Sequence, residues 1–168
     1  MKLDTLEDLL VEQLEDLYST EKELLNAVPK MAEASRSTEL KNTFKEQHEE
    51  IKNQLSRLDE VYSKLGLTHK EYARTGVSGI VRYSDDVISA IGNPIVKDAA
   101  LISAAQRIEH YEIAGYGSAR TFAHELGYKD VEALLQKSLD EEKSDDRKLT
   151  KIAEGGLFSS GINEEAPR

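Results

Sequence analysis

The chain has 168 residues, enough for one domain, and 22 Lys+Arg against 32 Asp+Glu give it a formal net charge of −10. The absence of cysteine excludes disulfides, thiolate metal sites and a cysteine nucleophile. The acidic balance argues against binding to nucleic acid or anionic membranes. No apolar run is long enough to span a bilayer, and the N-terminus lacks the apolar core of a signal peptide. We therefore expect a cytoplasmic protein that binds neither nucleic acid nor membrane.

The first two predicted helices form a hairpin. Apolar residues at helical spacing run from Thr5 to Ala34, and Pro29 should kink this helix or end it early. A second amphipathic run covers Thr38–Leu65, and Gly66 should stop it. Because the connection between the two runs is short, the helices should be antiparallel neighbours.

The second half of the chain predicts another hairpin. Asn93 and Pro94 form an N-cap and first-turn pair that starts a helix reaching Leu126. After two residues, Lys129–Glu154 forms the last long helix, which Gly155-Gly156 should end. No segment shows the alternation typical of a strand.

A long crossover joins the two hairpins, and residues 66–93 contain a shorter amphipathic helix within it. A connection of this length lets the second and third long helices run parallel, as in ferritin-like bundles. We predict an all-α, ferritin-like four-helix bundle over residues 1–156: two antiparallel hairpins joined by a long crossover with a short helix. Residues 157–168 should form a flexible C-terminal tail.

Five glutamates interrupt the apolar faces near the helix midpoints: Glu21, Glu50, Glu109, Glu112 and Glu142. Antiparallel packing should place them in one layer of the core, unless the bundle is splayed and several face water. Buried carboxylates need raised pKa values, buried cations or bound metal. The nearby cations fall mostly on flanking or outer faces, so an oxygen-rich metal site is the simplest explanation.

The pattern departs from the usual dinuclear iron bundle, which has Glu-x-x-His on two helices. Three residues after Glu50 and Glu142, the sequence has asparagine and aspartate instead of histidine. Gln54 and Asp146, four residues after these glutamates, face the same way and join the candidate site. Such a site would be built almost wholly from oxygen ligands.

Other residues near these acids are expected to have structural roles. His48 and His110 neighbour site acids in sequence, but adjacent helical residues point about 100° apart, so neither is expected to be a ligand. Tyr116 is expected to fill the core, with hydrogen bonding to a carboxylate as the alternative. Gly115 and Gly117 should permit close helix approach, within the chain or across a dimer.

Longer motifs surround the acids. They are Leu-Tyr-Ser-Thr-Glu-Lys at 17–22, Gln-Arg-Ile-Glu-His-Tyr-Glu-Ile-Ala at 106–114 and Leu-Asp-Glu-Glu-Lys at 139–143. On these segments the chain resembles the YciE/YciF family of ferritin-like bacterial proteins from about Thr5 to Ala153. The resemblance implies a rubrerythrin-like bundle, often dimeric, that is associated with bacterial stress responses.

The resemblance also implies a dimetal position. Its lining would be Glu21, Glu50, Glu109, Glu112 and Glu142, with Gln54 and Asp146 beside it. The sequence departs from the family at Gln47, where many relatives have histidine.

Two hypotheses follow. In the first, a homodimeric stress protein binds two divalent ions, iron or manganese, with zinc, magnesium and calcium as alternatives. It would handle peroxide or oxygen, with an unidentified redox partner. In the second, a non-catalytic dimeric bundle or interaction module carries a metal-free acid cluster that shares protons. The sequence does not decide whether the chain is an enzyme.

Overall fold

Two long helical hairpins form the body of the fold. The computed structural model describes residues 3–68, 75–156 and 159–168. Its helices are α1 (Leu6–Ala34), α2 (Thr38–Leu65), α3 (Thr75–Ser89), α4 (Pro94–Glu125), α5 (Lys129–Glu154) and α6 (Ile162–Glu165). In the two hairpins α1 packs on α2 and α4 on α5, while α3 lies in the crossover against α1 and α4. The predicted ferritin-like four-helix bundle is confirmed. None of the helices in the described ranges combines the length and apolarity needed to cross a membrane.

Local capping sets the helix limits. The Thr5 hydroxyl accepts a hydrogen bond from the Asp8 amide at 3.0 Å, and the Asp8 carboxylate accepts from the Thr5 amide at 2.9 Å. The Asn93 side chain accepts from the amide of Ile95 at the start of α4. Gly66 ends α2 with a φ of 65°, a left-handed conformation that glycine adopts without strain.

Pro29 does not end α1, which continues to Ala34. Of the two alternatives expected at Pro29, an early end is therefore excluded, and the predicted limit at Ala34 is confirmed. A proline inside a helix removes one backbone hydrogen bond and costs about 3 kcal/mol. Met31 and Ala32, in the turn after Pro29, are buried, and their apolar contacts offset that loss.

Gly115 lets α4 approach α1 within one chain. A Cβ atom at this position would lie 2.9 Å from Cδ2 of Leu17, which is closer than side chains pack. At Gly117 the nearest heavy atom, Cδ1 of Leu139, would be 4.0 Å away, which is ordinary contact. The predicted close helix approach thus occurs within the chain at Gly115. At position 117 the packing leaves room for a side-chain methyl group.

The apolar core is divided in two. A first core cluster includes Leu24, Met31, Phe44, Ile51, Leu101, Ile108 and Leu149, and a second includes Leu14, Leu17, Leu58, Tyr116, Leu135 and Leu139. On α1 the clusters are separated by Glu21, and on α5 they are separated by Glu142. We call the level between them the acidic layer, which consists of Glu21, Gln47, Glu50, Gln54, Glu109, Glu112, Glu142 and Asp145.

The chain after α5 turns back onto the bundle. Gly155–Gly156 (β1) pairs antiparallel with Ser159–Ser160 (β2), so the expectation of no strand is wrong in this detail. Gly155 has a φ of 81°, which permits the change of direction at the end of α5. Ile162 in α6 is buried and anchors this segment. The predicted flexibility of residues 157–168 stays a prediction.

Candidate metal centre

The acidic layer gathers the predicted glutamates in the middle of the bundle. Glu21, Glu109, Glu112 and Glu142 are each no more than 5% exposed, whereas Glu50 is only partly buried. Each long helix contributes because its inward face meets the layer once, between residues of the two core clusters. The alternative in which most of these acids face water does not describe this fold.

Three glutamates from two helices form the centre of the layer. Glu109 and Glu112 lie one turn apart on α4, and Glu142 faces them from α5. One carboxylate oxygen of each lies within 4.8 Å of the others, and this is the one such potential metal-ligand group within the described ranges. These oxygens are close enough to share one cation.

A small cavity adjoins these glutamates. Its polar lining comes from Gln47, Glu50, Gln54, Glu109, Glu112, Glu142 and Asp145, and its volume is about 20 Å³. A space of this size accommodates a single water molecule or ion. Gln47, Glu50 and Gln54 reach it together because offsets of three and four residues lie on one helical face.

Neutral donors bind some of the carboxylate oxygens. Nε2 of Gln47 donates to Oε1 of Glu109 at 3.0 Å. Nε2 of Gln54 donates to Oε1 of Glu142, and the Tyr116 hydroxyl donates to Oε1 of Glu21. These contacts hold each glutamate in one orientation, and at Glu21 and Glu109 they leave the second oxygen available to another partner.

Several buried oxygens have no donor. Oε2 of Glu21, Oε2 of Glu50, Oε2 of Glu109 and Oε1 of Glu112 have no hydrogen-bond partner among the described residues. Such buried acceptors are unfavourable unless a proton or a cation binds them. The donor set of carboxylate oxygens suits hard cations such as Fe(II), Mn(II), Mg(II) or Ca(II), so the residues fit a metal site.

Burial makes this layer hold protons in the absence of metal. Burial, followed by the negative charge of Glu142, raises the pKa values of Glu21, Glu109 and Glu112 well above their ordinary range. Burial also raises the pKa of Glu142 to about 7, against the hydrogen bonds it accepts. Burial and then a hydrogen bond with Asp145 raise the pKa of Glu50 to about 8.

A buried cation lies at the edge of the layer, contrary to the expectation from sequence. Arg57 on α2 is 9% exposed and donates to both oxygens of Glu141, at 2.8 and 2.9 Å, and to Ser138 at 2.6 Å. Arg57 follows Gln54 by three residues and therefore shares its inward face, which was the available signal. Because Glu141 binds this guanidinium at both oxygens, Arg57 makes no hydrogen bond to the unpartnered oxygens of the layer, and its charge opposes without overcoming the burial that raises the pKa of Glu21.

Asp145 and Asp146 differ in position. Asp145 is 4% exposed and lines the cavity, although it is not among the predicted site residues. The cavity lining does not include Asp146, which accepts from Gln106 at 3.2 Å and lies 3.4 Å from Nε2 of the exposed His110. Asp145 occupies the third position after Glu142, where the usual pattern has histidine, and this spacing was the signal for it.

Comparisons with known proteins agree with this architecture. Residues 5–166 match the family model described as domain of unknown function (DUF892). The protein YciF of Escherichia coli is 40% identical over 165 residues, which cover 98% of this chain and 99% of YciF.

Solved structures show the same fold. The crystal structure of the E. coli stress protein YciF matches with a TM-score of 0.87 and 39% identity over 89% of this chain and 95% of that one. YcfI from Rhodopseudomonas palustris matches with a TM-score of 0.86 and 36% identity, covering 91% and 99%. A Xanthomonas campestris protein at 20% identity and a TM-score of 0.69 shares the fold, with coverage of 88% and 89%. The chain therefore belongs to the DUF892 family, in agreement with its resemblance to the YciE/YciF proteins.

Proposed function

We propose that this chain binds two divalent metal ions, iron or manganese, in its acidic layer, one in the cavity beside Glu50 and one outside it, on the Glu21 side of Glu112. The observation that carries the proposal is the set of unpartnered oxygens on the buried side chains of Glu21, Glu109 and Glu112. If these carboxylates are ionised, only a cation can offset the missing donors, because no donor of the described residues reaches them. Zinc, magnesium and calcium could bind the same oxygen ligands, and metal analysis distinguishes these alternatives from iron and manganese.

The candidate metal ligands form a central group, which both ions would share, and one further glutamate on each side of it. Glu109, Glu112 and Glu142 would be the shared ligands because their oxygens approach one another within 4.8 Å. Glu50 lies beside Asp145 on one side, and Glu21 lies beside Glu112 and Tyr116 on the other. Gln47 and Gln54 act through the glutamates to which they donate, so we assign them to orientation instead of ligation.

The role that we propose is the handling of peroxide or oxygen during stress. Bound iron or manganese would supply the electrons for that chemistry. The side chains would exclude bulk water and hold the glutamates in the orientation that binds the ions. The description of E. coli YciF as a stress protein supports this role.

Metal analysis of protein purified without chelator tests the proposal. We expect stoichiometric iron or manganese in the wild type and little in the double variant Glu50→Ala/Glu142→Ala. The matched control is Glu39→Ala/Glu60→Ala on the exposed face of α2, which should keep its metal. A metal-free wild type whose melting temperature does not change with added Fe(II) or Mn(II) would contradict metal binding. Peroxide consumption by the iron-loaded wild type, lost in the site variant, tests the proposed chemistry separately.

The raised pKa values also support a second candidate, a metal-free layer that shares protons in a non-catalytic bundle. This candidate predicts a folded, metal-free protein whose stability does not respond to divalent ions. The homodimer remains a proposal for either candidate, and sedimentation equilibrium tests it.

A further inference from the structure

One side of the cavity in the acidic layer is more exposed to solvent than the others. Of its lining residues, all within the described part of the chain, Glu50 alone is not buried. A hydrated cation coming from solvent would therefore meet the cavity beside Glu50. Asp145 is the next acid inward from this side, because it contacts Glu50 and is itself buried.

Lys148 places an ammonium group at this side. Its Nζ atom lies 2.9 Å from Oδ1 of Asp145 on the same helix and 3.8 Å from Oε2 of Glu46 on α2. Its side chain is 41% exposed, so the ammonium can move out to water while its apolar stem stays attached to α5. Lys148 also interacts electrostatically with Glu50.

The other cation near the layer, Arg57, is held differently. Arg57 is buried, and Glu141 binds it through two hydrogen bonds. A guanidinium held in this way does not leave its partner easily. Lys148 makes a single close contact with Asp145 and has a flexible stem, so it is the cation that can be displaced.

We propose that Lys148 is a built-in competitor for metal ions, whose ammonium binds Asp145 beside the cavity and is displaced when a divalent ion enters. This inference rests on the proposed function and adds to it the regulation of metal entry. In the metal-free protein the ammonium partly neutralises the open side of the layer. An entering ion must replace this contact, which lowers the affinity and slows association.

Lys148→Met tests the inference because methionine keeps much of the apolar stem and removes the charge. The matched control is Lys52→Met, which also removes one positive charge next to an acid. Lys52 contacts Glu49 at 2.6 Å on the exposed face of α2, and Glu49, unlike Asp145, does not line the cavity. A third variant, Lys148→Arg, restores a positive charge at the same position.

The probe is Mn(II), followed by calorimetry for affinity and by stopped-flow mixing for association. We expect Lys148→Met to bind Mn(II) about tenfold more tightly than the wild type and to associate faster. The Mn(II) affinities of Lys52→Met and Lys148→Arg should stay within about threefold of the wild-type affinity, since both variants keep a positive charge at position 148. The metal-free Lys148→Met protein should melt at a lower temperature than metal-free Lys52→Met, because Asp145 loses its counterion.

The outcomes separate this inference from the proposed function. If the wild type binds Mn(II) and Lys148→Met binds it equally or more weakly, Lys148 is not a competitor, although the metal site stands. If Lys148→Met and Lys52→Met tighten binding equally, the effect is one of net charge and the inference is overturned. If none of the four proteins binds Mn(II), Fe(II) or Co(II), the proposed function falls and the inference falls with it.

Discussion

Tyr116 donates a hydrogen bond from its hydroxyl to Glu21, and both side chains are completely buried. The contact joins α4 to α1 at the border between the acidic layer and the second core cluster. It also explains why a large aromatic side chain with a polar atom is accommodated at this level of the core.

Tyr116→Phe should destabilise the metal-free protein by about 1–3 kcal/mol, because a buried oxygen of Glu21 loses its donor. Urea unfolding in the presence of chelator measures the change. Tyr128→Phe is the control, since the Tyr128 hydroxyl donates to Glu7 at an exposed position and should matter less. Equal effects of the two substitutions would contradict a special role for the buried contact.

Asp98 ties the first hairpin to α4. Its buried carboxylate accepts from the amide of Arg36 at 2.9 Å and from the amide of Ser37 at 2.7 Å. Asp98→Ala should cost about 2–4 kcal/mol, because two backbone donors lose a charged acceptor. Asp98→Asn should also destabilise the protein, since its single amide oxygen accepts from one of the two N–H groups while its NH2 group faces the other. Chemical denaturation of both variants, with the exposed Asp86→Ala as control, measures the two losses.

The metal-free protein should lose stability as pH rises. The folded-state pKa values of Glu142, about 7, and Glu50, about 8, lie above the ordinary value of 4.5. Folding therefore favours the protonated forms, so this stabilisation is complete below about pH 4.5 and declines as pH rises through 8. Unfolding free energies measured between pH 5 and about 9 in chelator test the sign.

The double variant Glu50→Gln/Glu142→Gln supplies the control for that pH dependence. Neutral amides do not titrate, so the decline should be shallower than in the wild type. A wild-type stability that rises over this range would exclude proton storage in the layer. Added Mn(II) should counteract the decline most strongly at high pH, where it competes with fewer protons.

The two glycines of α4 should respond differently to alanine. At Gly117 the added methyl has room, so Gly117→Ala should stabilise the protein by about 0.5–1 kcal/mol through helix propensity. At Gly115 the methyl would overlap Leu17, which is completely buried and has little space to move. Thermal unfolding should show that Gly117→Ala is more stable than Gly115→Ala, with a difference in unfolding free energy of at least about 1 kcal/mol.

Much of the fold could be predicted because its determinants are local. The capping residues Thr5 and Asn93 and the stop at Gly66 mark helix limits by chemistry within a few residues of the chain. The heptad spacing that buries Leu17 and Leu24 also buries Glu21 between them, which is how the acidic layer could be anticipated.

The remaining details depend on how the helices rotate against one another. Asp145 and Asp146 are adjacent, and only the packing of α5 on α2 and α4 determines which of them faces the cavity. The ion pair of Arg57 with Glu141 joins residues that are distant in sequence, so spacing on one helix could not reveal it. The return of the chain through β1 and β2 likewise depends on contacts with the finished bundle.

The acidic layer also determines the vertical alignment of the four helices. Apolar heptads alone would tolerate a slip of one helix by seven residues, since along most of each row one apolar residue would replace another. Such a slip of α1 would bring Leu14 or Val28 to the level of the layer and push the carboxyl group of Glu21 among apolar side chains. Burying a carboxyl group there without its partners costs several kcal/mol, so the layer selects a single register for the bundle.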